Sequence, residues 1–483
     1  MFYQETASTS LNKIAPPGPP CLPFVGMLPF LRKHVHLALN RLAKKYGNIF
    51  QIHVGARTLV VLNGLETIKE ALVKQQDSFN ARADFDVFQQ APQNEFLELK
   101  SSEPWRKHRD VIIQVMHTCM AGKSGMHESW LKEEAADLVN AFLKSGSQPF
   151  DPELYLPLTT LSFMQRLMFN KRGTVEDADF VKTAYGLKGI PNGLLNVIKL
   201  EILPKIWQPI FRIFHRKSLQ AFPEGMGMLH HYVSKNVEQH RESFNPENLR
   251  DIADGFLKAS SELTESDRNK LGLSENDIVI GSLIQFAGAG GELTSLMLRW
   301  ALFYMITYPA IQAEIQKELD EVVGREQLSL SHRGKLPFTE ACINEIFRHS
   351  SATVMPPITY ATTTDTTLKG YFIPKNTPLF VNYYGLTRDE RYWEEPEQFN
   401  PYRFLDEHGK LRNDLLDKFY PFGMGSRRCI GEYLGRLQIF MFFTNIMHKC
   451  KVEKAPGEKL SLDFIPAAFV SPNDYKVVVK PRF

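Results

Sequence analysis

Long apolar runs are missing from this 483-residue chain, and so is any marked excess of one charge. No stretch approaches the ~18 consecutive apolar residues that cross a bilayer as a helix. Lys and Arg number 57 against 54 Asp and Glu, a formal net charge of +3. Such balance supplies no basic stripe and argues against nucleic acid as a partner. Cysteines are few: Cys21, Cys119, Cys342, Cys429 and Cys450 lie at irregular spacing with no CxxC. An odd, scattered set reads as a reducing compartment without a disulfide framework. No Ser/Gly-rich linker, charge block, internal repeat or low-complexity tract divides the chain. One domain over 1–483 is therefore expected, although the length alone allows two or three. The opening residues, MFYQETASTSLNK, carry neither a signal-peptide core nor a transit-peptide bias.

What is present concentrates in FGMGSRRCIG, Phe422 to Gly431, which runs into the apolar, helix-like IGEYLGRLQIFMFFTNIM. Each residue type there has a job if Cys429 is an axial thiolate to haem iron. Gly423 and Gly425 let the backbone approach a flat macrocycle and turn its amides towards the sulfur. The positive N-terminal end of the next helix, with Arg427 and Arg428, favours the ionised thiol. Arg427 can also grip a propionate with its fork of donors. The alternative for a CxG alone is a surface turn with a space-filling cysteine.

With Phe422, Gly423, Gly425, Arg427, Cys429 and Gly431 in register, the stretch resembles the haem-binding loop of the cytochrome P450 superfamily, FxxGxRxCxG. The resemblance runs from the proline segment Pro16–Pro20 to the terminal strands. It implies a mainly α fold with a small β lobe, the triangular prism of that family, and one haem b ligated by Cys429. In EPWRKHRDVIIQVM, Trp105 and Arg109 lie one helical turn apart. By themselves they suit a surface cation–π pair; in the family's WxxxR they contact haem propionates. Arg106, Lys107 and His108 on the same helix are either a basic docking face for an electron donor or a solvated face. Glu345, Arg348 and Arg403 match ExxR and its partner arginine, a structural clamp in the family. Where the family has Pro-His on a propionate, this chain has Thr359 and Tyr360, and Tyr360 has one hydroxyl to offer.

A long helix is expected from Ser274, capped reciprocally with Asp277, to before Pro309. Its middle, FAGAGGELTS, holds three glycines that cost about 1 kcal/mol each against alanine. A close approach by something flat, or a local opening of the helix, would explain them. The stretch resembles the oxygen-binding motif AGxE/DT through Ala289, Gly290 and Glu292. The usual threonine is replaced by Leu293, and the hydroxyls follow at Thr294 and Ser295. One residue turns a helix by about 100°, so Thr294 substitutes only if the glycine turn is rewound. Glu292 with Thr294 or Ser295 is the expected proton-delivery set.

Elsewhere, HLALNRLAKKYGNIFQIHVGARTLVVLNGLETIKEALVKQ reads helix, two strands with a turn at Gly55–Arg57, then helix. From Glu133 to about Arg250 the pattern is helical with breaks at prolines. Within it, GIPNGLLNVIKLEILPKIWQPIFRIFHRK is apolar and basic together. It reads as a membrane-resting lid or, equally, as a loop packed on the body. The charged IQAEIQKELDEVVG reads as a solvated helix face. Phe85–Asn94, Gly186–Phe214 and Val354–Ile358 are expected to shape the pocket.

The resemblance is to the animal microsomal branch that includes steroid hydroxylases and xenobiotic oxidases. It implies a monomeric monooxygenase on the cytoplasmic face of the endoplasmic reticulum membrane, touching that surface through hinge and lid. The enzyme would insert one oxygen atom from O2 into a hydrophobic small molecule, with electrons from an NADPH-dependent flavoprotein reductase. Two other readings remain: a hydroperoxide isomerase or dehydratase of the same fold, which Leu293 suits, and a haem protein that binds ligand without turnover.

Overall fold

The computed structural model describes residues 14–31, 34–55, 57–85, 101–120, 123–352, 359–462, 464–465 and 469–483. The expected pocket segments 86–94 and 354–358 lie outside the described residues.

Strand and helix segregate as the sequence pattern requires. The β-branched run Arg57–Leu62 pairs antiparallel with Ile49–Val54, Val54 opposite Arg57. Gly55 makes the turn with φ +58°, and a Cβ there would stand 1.8 Å from the Ile202 carbonyl oxygen, so only glycine fits. Pro378–Val381 joins parallel to Arg57–Leu62, and Tyr360–Ala361 then Ala81–Arg82 complete a five-stranded sheet. The proline segment lies against this lobe, where the Pro17 carbonyl accepts from the Gln51 amide at 2.8 Å.

The rest is helical. The long helix, Ser282–Thr307, is continued on its N-terminal side by a π-turn over Asp277–Gly281. Its expected cap is present: the Ser274 amide donates to Asp277 at 2.6 Å and the Asp277 amide to the Ser274 hydroxyl at 3.0 Å. At the standard rise, 26 residues span about 39 Å. It packs on Leu156–Phe169, on Arg216–Glu242 and on the proximal helix, Glu432–Lys449, with Leu298, Ala301, Leu302 and Met305 fully buried. The mid-helix glycines answer mainly to these neighbours. A Cβ on Gly290 would stand 2.7 Å from the Met164 methyl, and one on Gly288 would stand 3.2 Å from Leu229. The Gly291 carbonyl accepts from the Thr160 hydroxyl at 2.9 Å. Interhelical packing thus accounts for much of their placement, and the helix runs unbroken through them.

Three expectations are corrected here. Pro223 does not break its helix, which runs through it from Arg216 to Glu242. His108 is fully buried and bonds the Ser282 hydroxyl at 2.8 Å, so it ties the tryptophan helix, Ser102–Met120, to the long helix and belongs to no docking face. The helix Pro309–Val322 is more than a solvated face. Its Glu318 carboxylate accepts from the Phe338 and Thr339 amides, satisfying donors that the first turn of Pro337–Ser350 would otherwise leave unpaired.

That last helix carries the expected clamp. Arg348 donates to both oxygens of Glu345 at 2.7 and 2.8 Å and to the carbonyls of Thr387, Pro396 and Gln398. Glu345 also receives the Arg403 guanidinium at 3.2 Å and the Asn400 amide at 2.8 Å. Every charge in this buried trio is matched, and the segment leading to the cysteine loop is pinned to the helical core.

Candidate active site

A cavity of about 480 Å3 opens between the long helix and the loop that carries Cys429. The size is within the ~300–1,000 Å3 of small-molecule and cofactor sites. Cys429 lines it, and its amide donates to the Phe422 carbonyl at 2.9 Å, closing the loop into a tight turn. Gly423 and Gly425 both have φ above +70°. At Gly425 a Cβ would stand 1.9 Å from the Leu72 carbonyl, so this glycine lets the loop bed onto the β lobe. Cys429 differs from the buried cysteines in its surroundings. Burial pushes the Cys119 thiol up to about 11 and the Cys450 thiol up to about 12. Cys429 stands among arginines, and none of the five cysteines forms a disulfide.

Trp105 and Arg109 both face this space from the tryptophan helix. The Arg427 guanidinium lies over the Trp105 ring at 3.6 Å and donates to the Asn80 carbonyl at 3.0 Å. Arg109 donates to the Arg428 carbonyl at 2.9 Å, and burial, then Arg428, lower its proton affinity. Phe422, Gly423, Gly431 and Ala289 line the cavity as well. Gly431 caps the proximal helix.

The proton-delivery set divides. Leu293 and Thr294 both line the cavity, although the helix is continuous through them. Thr294 thus reaches it without the rewinding that the spacing demands, because the opening is wide enough to take two successive positions. Ser295 is buried and does not line the cavity; a further 100° of rotation turns it into the core. Glu292 is also outside the lining. Burial and the Glu153 carboxylate push its carboxyl up to about 7, against Arg299 and Lys188.

Sequence reasoning missed Arg82, Lys418, Tyr383 and Gln438, which also line the cavity. None belongs to a local pattern; strand pairing and helix packing deliver them. With them the charge is lopsided. Arg82, Arg109, Lys418, Arg427 and Arg428 line the space, and among the described residues no Asp, Glu or His does. A group with two carboxylates and a thiolate-seeking metal fits that donor set.

Residues 16–479 match the family described as Cytochrome P450. The chain belongs to that family. Its fold is the P450 fold, its cofactor is haem b, and it is a haem-thiolate oxidoreductase of monooxygenase type, a class that works on hydrophobic substrates with a redox partner. Relatives are spread across kingdoms. A "polybrominated aromatic compounds synthase" of Pseudoalteromonas luteoviolacea is 38% identical over 455 residues, 94% of this chain and 92% of that one. Cytochrome P450 1A5 of Gallus gallus is 33% identical, covering 93% and 86%. Cytochrome P450 2J5 of Mus musculus is 33% identical, covering 97% and 91%. In this P450, Cys429 would hold the iron, and Trp105, Arg109 and Arg427 would hold the carboxylates. Dioxygen activation is the chemistry that haem supplies when bound there, and thiolate ligation favours O–O cleavage.

Proposed function

We propose that this P450 inserts one oxygen atom from O2 into a hydrophobic, aromatic small molecule, using electrons from an NADPH-dependent flavoprotein reductase. The observation that carries the reading is the hydroxyl of Thr294 beside Leu293 on the cavity wall. It keeps an O–H donor available where the usual threonine is lost. Phe286, Ala289, Leu293 and Ile112 make an apolar wall beside it, which excludes water and suits an aromatic ring. The name of the bacterial relative points to the same substrate class. Thr294 would pass a proton at the reacting centre, and Glu292, its carboxyl raised to about 7 just outside the cavity lining, would replenish it.

One catalytic unit, 1–483, working as a monomer, fits the absence of any dividing linker. No described helix is long and apolar enough to cross a membrane. The exposed surface suits a contact with the cytoplasmic face of the endoplasmic reticulum membrane. Phe24, Phe30, Ile206, Trp207, Ile213 and Phe214 are exposed. The two stretches adjoin, because Gly26 pairs with Val54 and Gly55 lies on the Ile202 backbone. Lys205, Arg212, Arg216 and Lys217 are interleaved and favour anionic headgroups.

The test is product formed per NADPH consumed, with reductase supplied, in the wild type and in Leu293→Thr. Substrate-dependent oxidation with coupling raised about tenfold in the variant is the expected result. Leu293 itself favours the second reading, since hydroperoxide rearrangement needs no proton relay. Turnover of a fatty-acid hydroperoxide without any electron donor, and none with reductase and NADPH, would replace the proposal by that one.

A further inference from the structure

Nothing in the family pattern assigns Tyr383, yet its place in the fold is closely controlled. Strand Tyr360–Ala361 pairs with Pro378–Val381, Tyr360 opposite Leu379. The latter strand ends at Asn382, which is fully buried, donates to Asn63 at 2.7 Å and accepts from the Gly385 amide at 3.1 Å. Tyr383 is therefore held next to the sheet that carries Tyr360. On the other side of Tyr360, Arg82 is its partner in the strand register, and the Arg82 guanidinium lies over its ring at 4.8 Å. All three residues line the cavity with Cys429.

The Tyr383 hydroxyl is buried beside the Tyr360 hydroxyl and the Met424 backbone, without a partner in full hydrogen-bond geometry among the described residues. It stands 3.4 Å from where a Gly423 Cβ would be, so it touches the cysteine loop itself. Burial and the neighbouring Tyr360 push its ionisation well above that of an ordinary tyrosine, so it remains an O–H donor. Two phenol hydroxyls side by side cannot both donate to each other, so at least one O–H is left for a further acceptor, and native proteins seldom leave a buried donor unmatched. The cavity it shares is lined by the guanidiniums of Arg82, Arg109, Arg427 and Arg428 and, among the described residues, by no carboxylate. What the local chemistry lacks is an anionic oxygen with spare lone pairs, and a haem carboxylate offers about four acceptor sites.

We propose that Tyr383 and Tyr360 form the hydroxyl side of the clamp on one haem carboxylate, two phenols doing together what a histidine does in the usual family pattern. Arg82 orients Tyr360 by stacking, and Asn382 fixes the start of the helix from which Tyr383 projects. Because Tyr383 also abuts Gly423, it couples the carboxylate grip to the loop that presents the thiolate. The inference rests on haem occupying this cavity and is independent of which reaction follows.

The experiment compares the wild-type holoprotein with Tyr383→Phe, Tyr360→Phe and the double variant; phenylalanine preserves the packing. Haem release is followed by transfer to an excess of acceptor apoglobin, and the propionate bending bands are recorded by resonance Raman. Tyr383→Phe is expected to speed release about tenfold and to shift a propionate band. The double variant should release haem less fast than the product of the single effects predicts, because both hydroxyls serve one carboxylate. Tyr360→His should restore the band and rate lost in Tyr360→Phe. An unmoved propionate band in Tyr383→Phe overturns the proposal, whatever the release rate. Neither readout requires turnover, so failure of the oxygen-insertion reading would leave this result standing.

Discussion

Glu292 titrates far from an ordinary carboxylate because of where the long helix places it. Its carboxyl lies at about 7 against an ordinary 4.5, because burial and Glu153 disfavour the charged form more than Arg299 and Lys188 favour it. A folded value raised above the unfolded one means that the native state binds the proton more tightly. The associated stability is complete below pH 4.5 and is lost as pH rises through about 7. The loss is on the order of 3–4 kcal/mol, from ~2.5 pH units at ~1.4 kcal/mol each. In Glu292→Gln, which imitates the protonated acid, this part of the decline in melting temperature should vanish while the rest of the pH profile remains. Parallel melting curves for wild type and variant across that window would show that Glu292 is ionised throughout. Thr294 and Ser295 make the complementary point. Adjacent in sequence and alike in chemistry, they differ only by one helical step, and that step decides which hydroxyl meets the cavity.

At the scale of elements, the cysteine loop is held from two sides. On the helical side, the Glu345 carboxylate joins Arg348 and Arg403 where all three side chains are almost fully buried. Glu345→Ala would strand two guanidiniums, and a broken buried pair of this kind costs about 3–5 kcal/mol. Denaturant unfolding should shift by that amount, accompanied by loss of haem from the folded fraction. A shift below 1 kcal/mol would mean that water reaches the clamp. On the β side, Gly425→Ala places a methyl group on the Leu72 carbonyl and a non-glycine residue at φ +72°. Left-handed backbone alone costs about 1–2 kcal/mol, and the overlap forces the loop off the lobe. The expected outcome is a protein that expresses with helical circular dichroism but retains less than about half its haem per chain, read from the ratio of haem to protein absorbance.

For the molecule as a whole, the most exposed large apolar side chains, Phe24, Ile206, Ile213 and Phe214, fall where the Phe24–Phe30 segment meets the 206–214 stretch. Each side chain of this kind that leaves water contributes roughly 1.5–3 kcal/mol when fully buried. Ile213→Asp combined with Phe214→Asp should therefore lower co-sedimentation with anionic vesicles at least about tenfold and leave haem content unchanged. Equal sedimentation of variant and wild type would show that this surface does not meet lipid.

Much of this protein is legible without coordinates. The cysteine loop, WxxxR, ExxR and the long helix follow from local rules, since a turn, a helical spacing or a cap involves residues close in the chain. The cap of Ser274 on Asp277 and the turn at Gly55 are of this kind. What only the tertiary structure decided are relations between distant segments. They include Tyr383 beside Tyr360, Arg82 and Gly423, the glycines that serve helix packing, His108 turned inward to Ser282, and the separation of Glu292 from the cavity. Such relations depend on strand register and on how one helix leans against another. The packing of the whole core sets those quantities, and no short stretch of sequence encodes them.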